Sequence, residues 1–102
     1  MSAARLVVEC VNGPLDGQRI EIETDTEWRR TGDGLLCFPW DLELGEPQAR
    51  FSCDGSTWYF EGIKSQHGTY RINTSEQIET QVKVAAGDLL KASWTWLLVH
   101  QV

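Results

Sequence analysis

The chain has 102 residues, 41% of them hydrophobic and 24% charged, with fifteen Asp and Glu against nine Lys and Arg for a net charge of −6. That composition suits one folded domain, and its acidity argues against nucleic acid or an anionic membrane as partner, since both recruit proteins through a positive field. No apolar run approaches the ~20 residues of a membrane-spanning helix, and residues 1–5 lack the apolar core of a signal peptide, so a cytoplasmic location is expected.

Period-two alternation dominates, and no segment carries a sustained helical stripe. Residues 5–11 are β-rich and stop at Asn12-Gly13-Pro14, a turn signal. Residues 18–23 alternate cleanly, which predicts a half-buried antiparallel strand with Ile20 and Ile22 inward. After Thr24-Asp25, a short strand over 27–30 turns Trp28 inward, and Thr31-Gly32-Asp33-Gly34 is a loop by composition. Residues 35–38 are apolar, Pro39 interrupts them, and 40–44 alternate again; the proline confines this stretch to a sheet edge or a bulge. Gly45-Glu46-Pro47 turns the chain into a strand over 48–53. Asp54-Gly55 is a hairpin signal, and a strand over 57–62 sets Trp58 and Phe60 on one face with Tyr59 on the other.

An irregular loop over 63–68 leads to a strand over 69–72 and a polar turn over 73–76. One or two short strands fall within 77–84, and a turn at 85–88 leads to a strand over 89–92. In the closing strand, 93–102, Trp94, Trp96, Leu98 and His100 share one face while Thr95, Leu97 and Val99 share the other, and both faces look largely covered. Many short strands separated by Gly-rich turns predict an all-β antiparallel sandwich in one domain, residues 1–102. Such a domain can stand alone or serve as a module of a larger protein or assembly.

Cys10, Cys37 and Cys53 are odd in number and show no C-x-x-C pairing, which disfavours a disulfide framework. A zinc site made from them and His67 lacks closely spaced ligands, so packed thiols are expected, with no cofactor. Catalysis is not expected either. Ser65 and His67 share one loop without the third group that orients a catalytic base, and no G-x-S-x-G elbow, P-loop or metal-spaced His pair is present.

Ser65-Gln66-His67-Gly68-Thr69 ahead of a strand, with Gly87-Asp88 before the final hairpin, resembles the fingerprint of the forkhead-associated (FHA) domain, S-x-N-G-T and G-D. The likeness runs over residues 7–99. Gly13-Pro14-Leu15-Asp16-Gly17 resembles the family's G-x-x-x-G turn, Arg29-Arg30 its G-R, and Gly45-Glu46-Pro47-Gln48 its S-R-x-H. The resemblance implies a sandwich of about eleven short strands and a non-catalytic protein-interaction module. In the family, the Arg and Ser clamp the phosphate of a phosphothreonine peptide, and the Asn of N-G-T holds the peptide backbone.

Carried over, Arg30 is the phosphate-binding cation, and Gly45 replaces the Ser, leaving only an amide. Glu46 sets a carboxylate beside that point, where it opposes a phosphate, and Asp33 and Glu43 add to its field. Gln48 replaces the His that braces the loop. His67 replaces the Asn, either as a ligand group or as a loop His without a role. Gly68 completes the ligand loop, Ser65 and Thr69 stabilise it through side chain-to-backbone bonds, and Lys64 offers a second positive charge.

Two binding modes follow. With so many ligand positions replaced, the resemblance favours docking of a protein partner independently of phosphorylation, as in FHA-like domains that lack the phosphate residues, notably those of bacterial secretion machines. The alternative is a phosphothreonine-peptide signalling module that uses Arg30 and loop amides. Trp40, beside Pro39, is either an exposed anchor for a partner or an ordinary core or edge Trp.

Overall fold

A computed structural model describes residues 5–63 and 68–101. Lys64, Ser65 and His67 lie outside the described residues. Among the described residues there are eleven strands: β1 Leu6–Cys10, β2 Arg19–Ile22, β3 Thr26–Arg29, β4 Leu36–Cys37, β5 Ala49–Asp54, β6 Thr57–Gly62, β7 Thr69–Arg71, β8 Glu76–Gln77, β9 Gln81–Lys83, β10 Leu89–Ala92 and β11 Thr95–Gln101. They form two facing sheets, ordered β2-β1-β11-β10-β7-β8 and β4-β3-β5-β6-β9. The sandwich expected from alternation and turn spacing is therefore present. Its strand pairs are antiparallel apart from β3 and β4, which pair in parallel where Trp28 meets Leu36.

The two inner faces differ in chemistry. From the six-stranded sheet come aliphatic side chains, Leu6, Val8, Ile20, Ile22, Leu90, Leu97 and Val99. The five-stranded sheet supplies rings. Phe51 and Phe60 are opposite one another in the β5–β6 hairpin with ring centroids 4.8 Å apart, and Trp28 packs 6.0 Å from Phe60. Large flat rings bury much area per residue, which suits a domain with a radius of gyration of only 12.3 Å.

Two glycines allow close approaches. A Cβ on Gly62, at the end of β6, would stand 2.0 Å from the Ile78 carbonyl oxygen, so the chain crosses between the sheets there only because no side chain intervenes. Gly13 combines φ +76° with a Cβ direction that meets the Trp40 ring at 2.6 Å. That position requires glycine both for its left-handed backbone and for space.

Two expectations are corrected. Residues 40–44 form turns, not a strand. Within them Leu42 is 75% exposed while Asp41 is 1% exposed, the reverse of what an inward-facing leucine would give. The reason is that Asp41 is drawn inward by hydrogen bonds from the β10–β11 turn. The closing strand also has one uncovered end: Trp94 is 67% exposed in the turn before β11.

Candidate functional site

Strand register gathers several loops at one pole. Thr69 at the start of β7 pairs with Ala92 at the end of β10, so the 93–94 turn stands beside Gly68. Cys10 at the end of β1 pairs with Leu97 near the start of β11, which brings the β1–β2 turn to the same pole. The irregular segment between β4 and β5 is tied there too. Asp41 accepts hydrogen bonds from Ser93 Oγ (2.9 Å), the Trp94 amide (3.0 Å) and Thr95 Oγ1 (2.9 Å). Asn12 completes the clasp: its Nδ2 donates to the Trp94 carbonyl, and its Oδ1 accepts from the Trp96 amide.

Gln48 joins the two remaining loops. It is fully buried at the entry to β5. Its Oε1 accepts from the Gly45 amide at 2.7 Å, and its Nε2 donates to the Gly68 carbonyl at 3.0 Å and to Thr69 Oγ1 at 2.9 Å. One amide side chain thus satisfies groups on loops about twenty residues apart, because Gln offers both an acceptor and two donors.

Glu46 points away from this strut, toward the β3–β4 loop. Its carboxylate accepts from the Thr31 amide at 2.6 Å and the Thr31 hydroxyl at 2.7 Å, and Arg29 donates to it at 3.4 Å. The Thr31 hydroxyl bond, then the Thr31 amide and Arg29, outweigh desolvation and hold the Glu46 carboxyl down at about 2. Arg29 is shared with Glu27 at 2.9 Å, and Glu27 also meets Arg50, which in turn approaches Glu61. A ladder of alternating charge therefore runs up the outer face of β3, β5 and β6 and ends on Glu46. Each rung is solvent-exposed enough to contribute little alone.

The expected site residues divide as follows. Arg30 follows β3 directly, and no carboxylate among the described residues lies within 4 Å of it; its Nε is buried without a hydrogen-bond partner. The Gly45 amide, the one donor left where the family has Ser, is committed to Gln48. Thr69 is buried and bonded to Gln48, and Gly68 adjoins it with φ +72°. Ser65, His67 and Lys64 fall outside the described residues. Trp40 is half-buried, 6.3 Å from Phe38 and against Gly13, and the exposed tryptophan at this pole is Trp94 instead.

Three contributors escaped the sequence reading. Arg29 was visible only as a replaced glycine, yet it holds Glu46. Thr31, a hydroxyl residue immediately after two arginines, was the available signal for a carboxylate-binding loop start. Asp41, an isolated acid between Trp40 and Leu42, was the signal for a buried capping carboxylate.

No protein-family model matches the sequence, and no curated protein matches it. Solved structures do. The FHA domain of an Arabidopsis thaliana hypothetical protein superposes with a TM-score of 0.82 at 24% identity, covering 98% of this chain and 87% of that one. The FHA domain of the CT664 protein from Chlamydia trachomatis gives 0.81 at 13% identity, over 97% of this chain and 99% of that one. Mycobacterium tuberculosis EmbR, in complex with a low-affinity phosphopeptide, gives 0.80 at 14% identity over 96% of this chain and 24% of its own. At such identities the likeness establishes the fold, and the chain has the FHA fold.

Proposed function

We propose that this FHA-fold chain is a non-catalytic protein-interaction module that docks a protein partner through its loop pole independently of phosphorylation. The observation that carries the reading is Glu46. Its carboxylate already holds the Thr31 amide, the Thr31 hydroxyl and one Arg29 nitrogen, the kind of donors that an incoming phosphate would need. A phosphate approaching this loop meets a fixed negative charge and donors that are already used. The Gly45 amide is likewise turned into the strut and away from a ligand. Neighbours of the same fold include EmbR, whose structure holds a phosphopeptide; that comparison supports an interaction module and, taken alone, the phosphopeptide mode.

One observation favours the second reading, phosphothreonine-peptide binding. Arg30 stands at the same loop with no carboxylate partner among the described residues, and its guanidinium remains able to take an anion. Calorimetric titration separates the two. A degenerate phosphothreonine peptide pool and its unphosphorylated twin are expected to behave alike with the native chain. Phosphate-dependent binding that disappears in R30A would establish the second reading. In that case E46Q should tighten the phosphopeptide complex, because it removes the opposing charge.

A further inference from the structure

Outside the Arg30–Glu46 loops, the outer face of the six-stranded sheet carries a second surface. Tyr70, Lys91 and Trp96 form one row across it, since Lys91 is paired in register with Tyr70 on β7 and with Trp96 on β11. The Lys91 ammonium lies 5.9 Å from each of the two ring centroids, so the rings hold the cation upright from both sides. Ser93 and Trp94 complete a shallow concavity of about 540 Å³.

Trp94 is the anchor. A tryptophan 67% exposed is uncommon on a small soluble domain. Here its backbone is also held in place. Its amide donates to Asp41, its carbonyl accepts from Asn12, and the preceding Ser93 both adopts φ +57° and donates to Asp41. A large ring on a backbone fixed in advance binds with little further loss of entropy, and Trp is enriched among the residues that dominate interfaces.

Charge selects the occupant. Lys91 has no carboxylate within 4 Å among the described residues, and it is the patch's one charge in a chain of net charge −6. A second copy docked about a two-fold axis through this patch would set Lys91 against Lys91 and one acidic domain against another. We infer that the Trp94–Lys91 face docks an extended segment of a different protein that presents a carboxylate side chain beside an apolar one. The carboxylate meets Lys91, and its apolar neighbour packs on Trp94 and Trp96.

The test uses the full chain and three immobilised pentapeptide libraries, randomised except for a central Glu, Gln or Lys. Binders should come from the Glu-centred library. W94A should weaken the best of them about tenfold or more, and K91Q should abolish the preference for Glu over its Gln counterpart. Both side chains are on the surface, so each variant should melt within a few degrees of the native chain. An absence of binders, binders spread evenly over the three libraries, or affinity unchanged in W94A would overturn the proposal. Loss of binding in R30A would also overturn it by moving the site to the other loops. So would self-association in sedimentation that W94A abolishes.

Discussion

Replacing Gln48 with Ala tests whether one buried side chain sets the geometry of the loop pole. The change removes the donor to the Thr69 hydroxyl, which is 1% exposed and cannot recruit solvent readily. A buried polar group left without its partner costs about 1–3 kcal/mol. The Gly45 amide and Gly68 carbonyl are only half-buried and can turn to water, so each should cost about 0.5–1 kcal/mol. The expected loss is about 2–5 kcal/mol, equivalent to a fall of roughly 10–25 °C in Tm for a domain of this size. Urea unfolding followed by tryptophan fluorescence measures it, and hydrogen exchange at the Gly45 amide reports the site directly. Q48L separates polar from packing effects: it restores side-chain volume but no hydrogen bond, so it should be nearly as unstable as Q48A. A loss below about 0.5 kcal/mol, or full recovery in Q48L, would refute the account of Gln48 as a polar strut.

Asp41→Ala should cost about 2–4 kcal/mol by leaving the buried Thr95 Oγ1 and the part-buried Trp94 amide unpaired, with D41N milder because one acceptor oxygen remains; thermal unfolding of both variants checks the order. Glu46 is held down at about 2, below the ordinary carboxylate value of 4.5 that it regains on unfolding. Its contribution to stability is therefore complete above 4.5 and lost as pH falls through about 2. Urea midpoints measured from pH 5 to pH 2 should fall less steeply in E46Q than in the native chain, and parallel curves would contradict the Thr31 contacts. Gly62→Ala should destabilise by about 3 kcal/mol or prevent folding, because the nearest obstacle is a backbone carbonyl that cannot rotate away. Burial, then the nearby Glu9 and Asp16, push the Cys10 thiol up, so alkylation of the folded chain should spare Cys10 while Cys37 and Cys53 react, as peptide mapping would show.

The strands were legible because alternation is a local signal: Ile20 and Ile22, or Trp58 and Phe60, face the core as the pattern required. Alternation misled at 40–44 for the same reason. The inward pull on Asp41 comes from residues 93–95, and nothing within the window 40–44 encodes a partner so remote. Trp40 and Trp94 could not be ranked by exposure from sequence, since the first is covered by Gly13, a residue whose only distinguishing property is what it lacks. The resemblance marked Gln48 only as the replacement of a bracing His, and it did not show that the Gln side chain would itself join Gly45 to Gly68 and Thr69. The resemblance could not show that Glu46 would settle on Thr31 and Arg29, because the family's pattern has no carboxylate there to trace.

The pairing of β1 with β11 has a consequence for the order in which the molecule is made. Val8 faces Val99 across the ladder, so the first strand and the last are neighbours in the interior of the sheet. A chain emerging from a ribosome can close the β1–β2 and β5–β6 hairpins early, since their partners are close in sequence. The two halves of the six-stranded sheet, β2-β1 and β10-β7-β8, stay separate until β11 slides between them. Contacts this distant in sequence form slowly, because a long loop must close before any of them is made. The clasp of Asp41 and Asn12 on residues 93–96 belongs to that same late event. The Trp94–Lys91 face is therefore assembled late, and a nascent chain cannot offer it until β11 has been made and paired with β10.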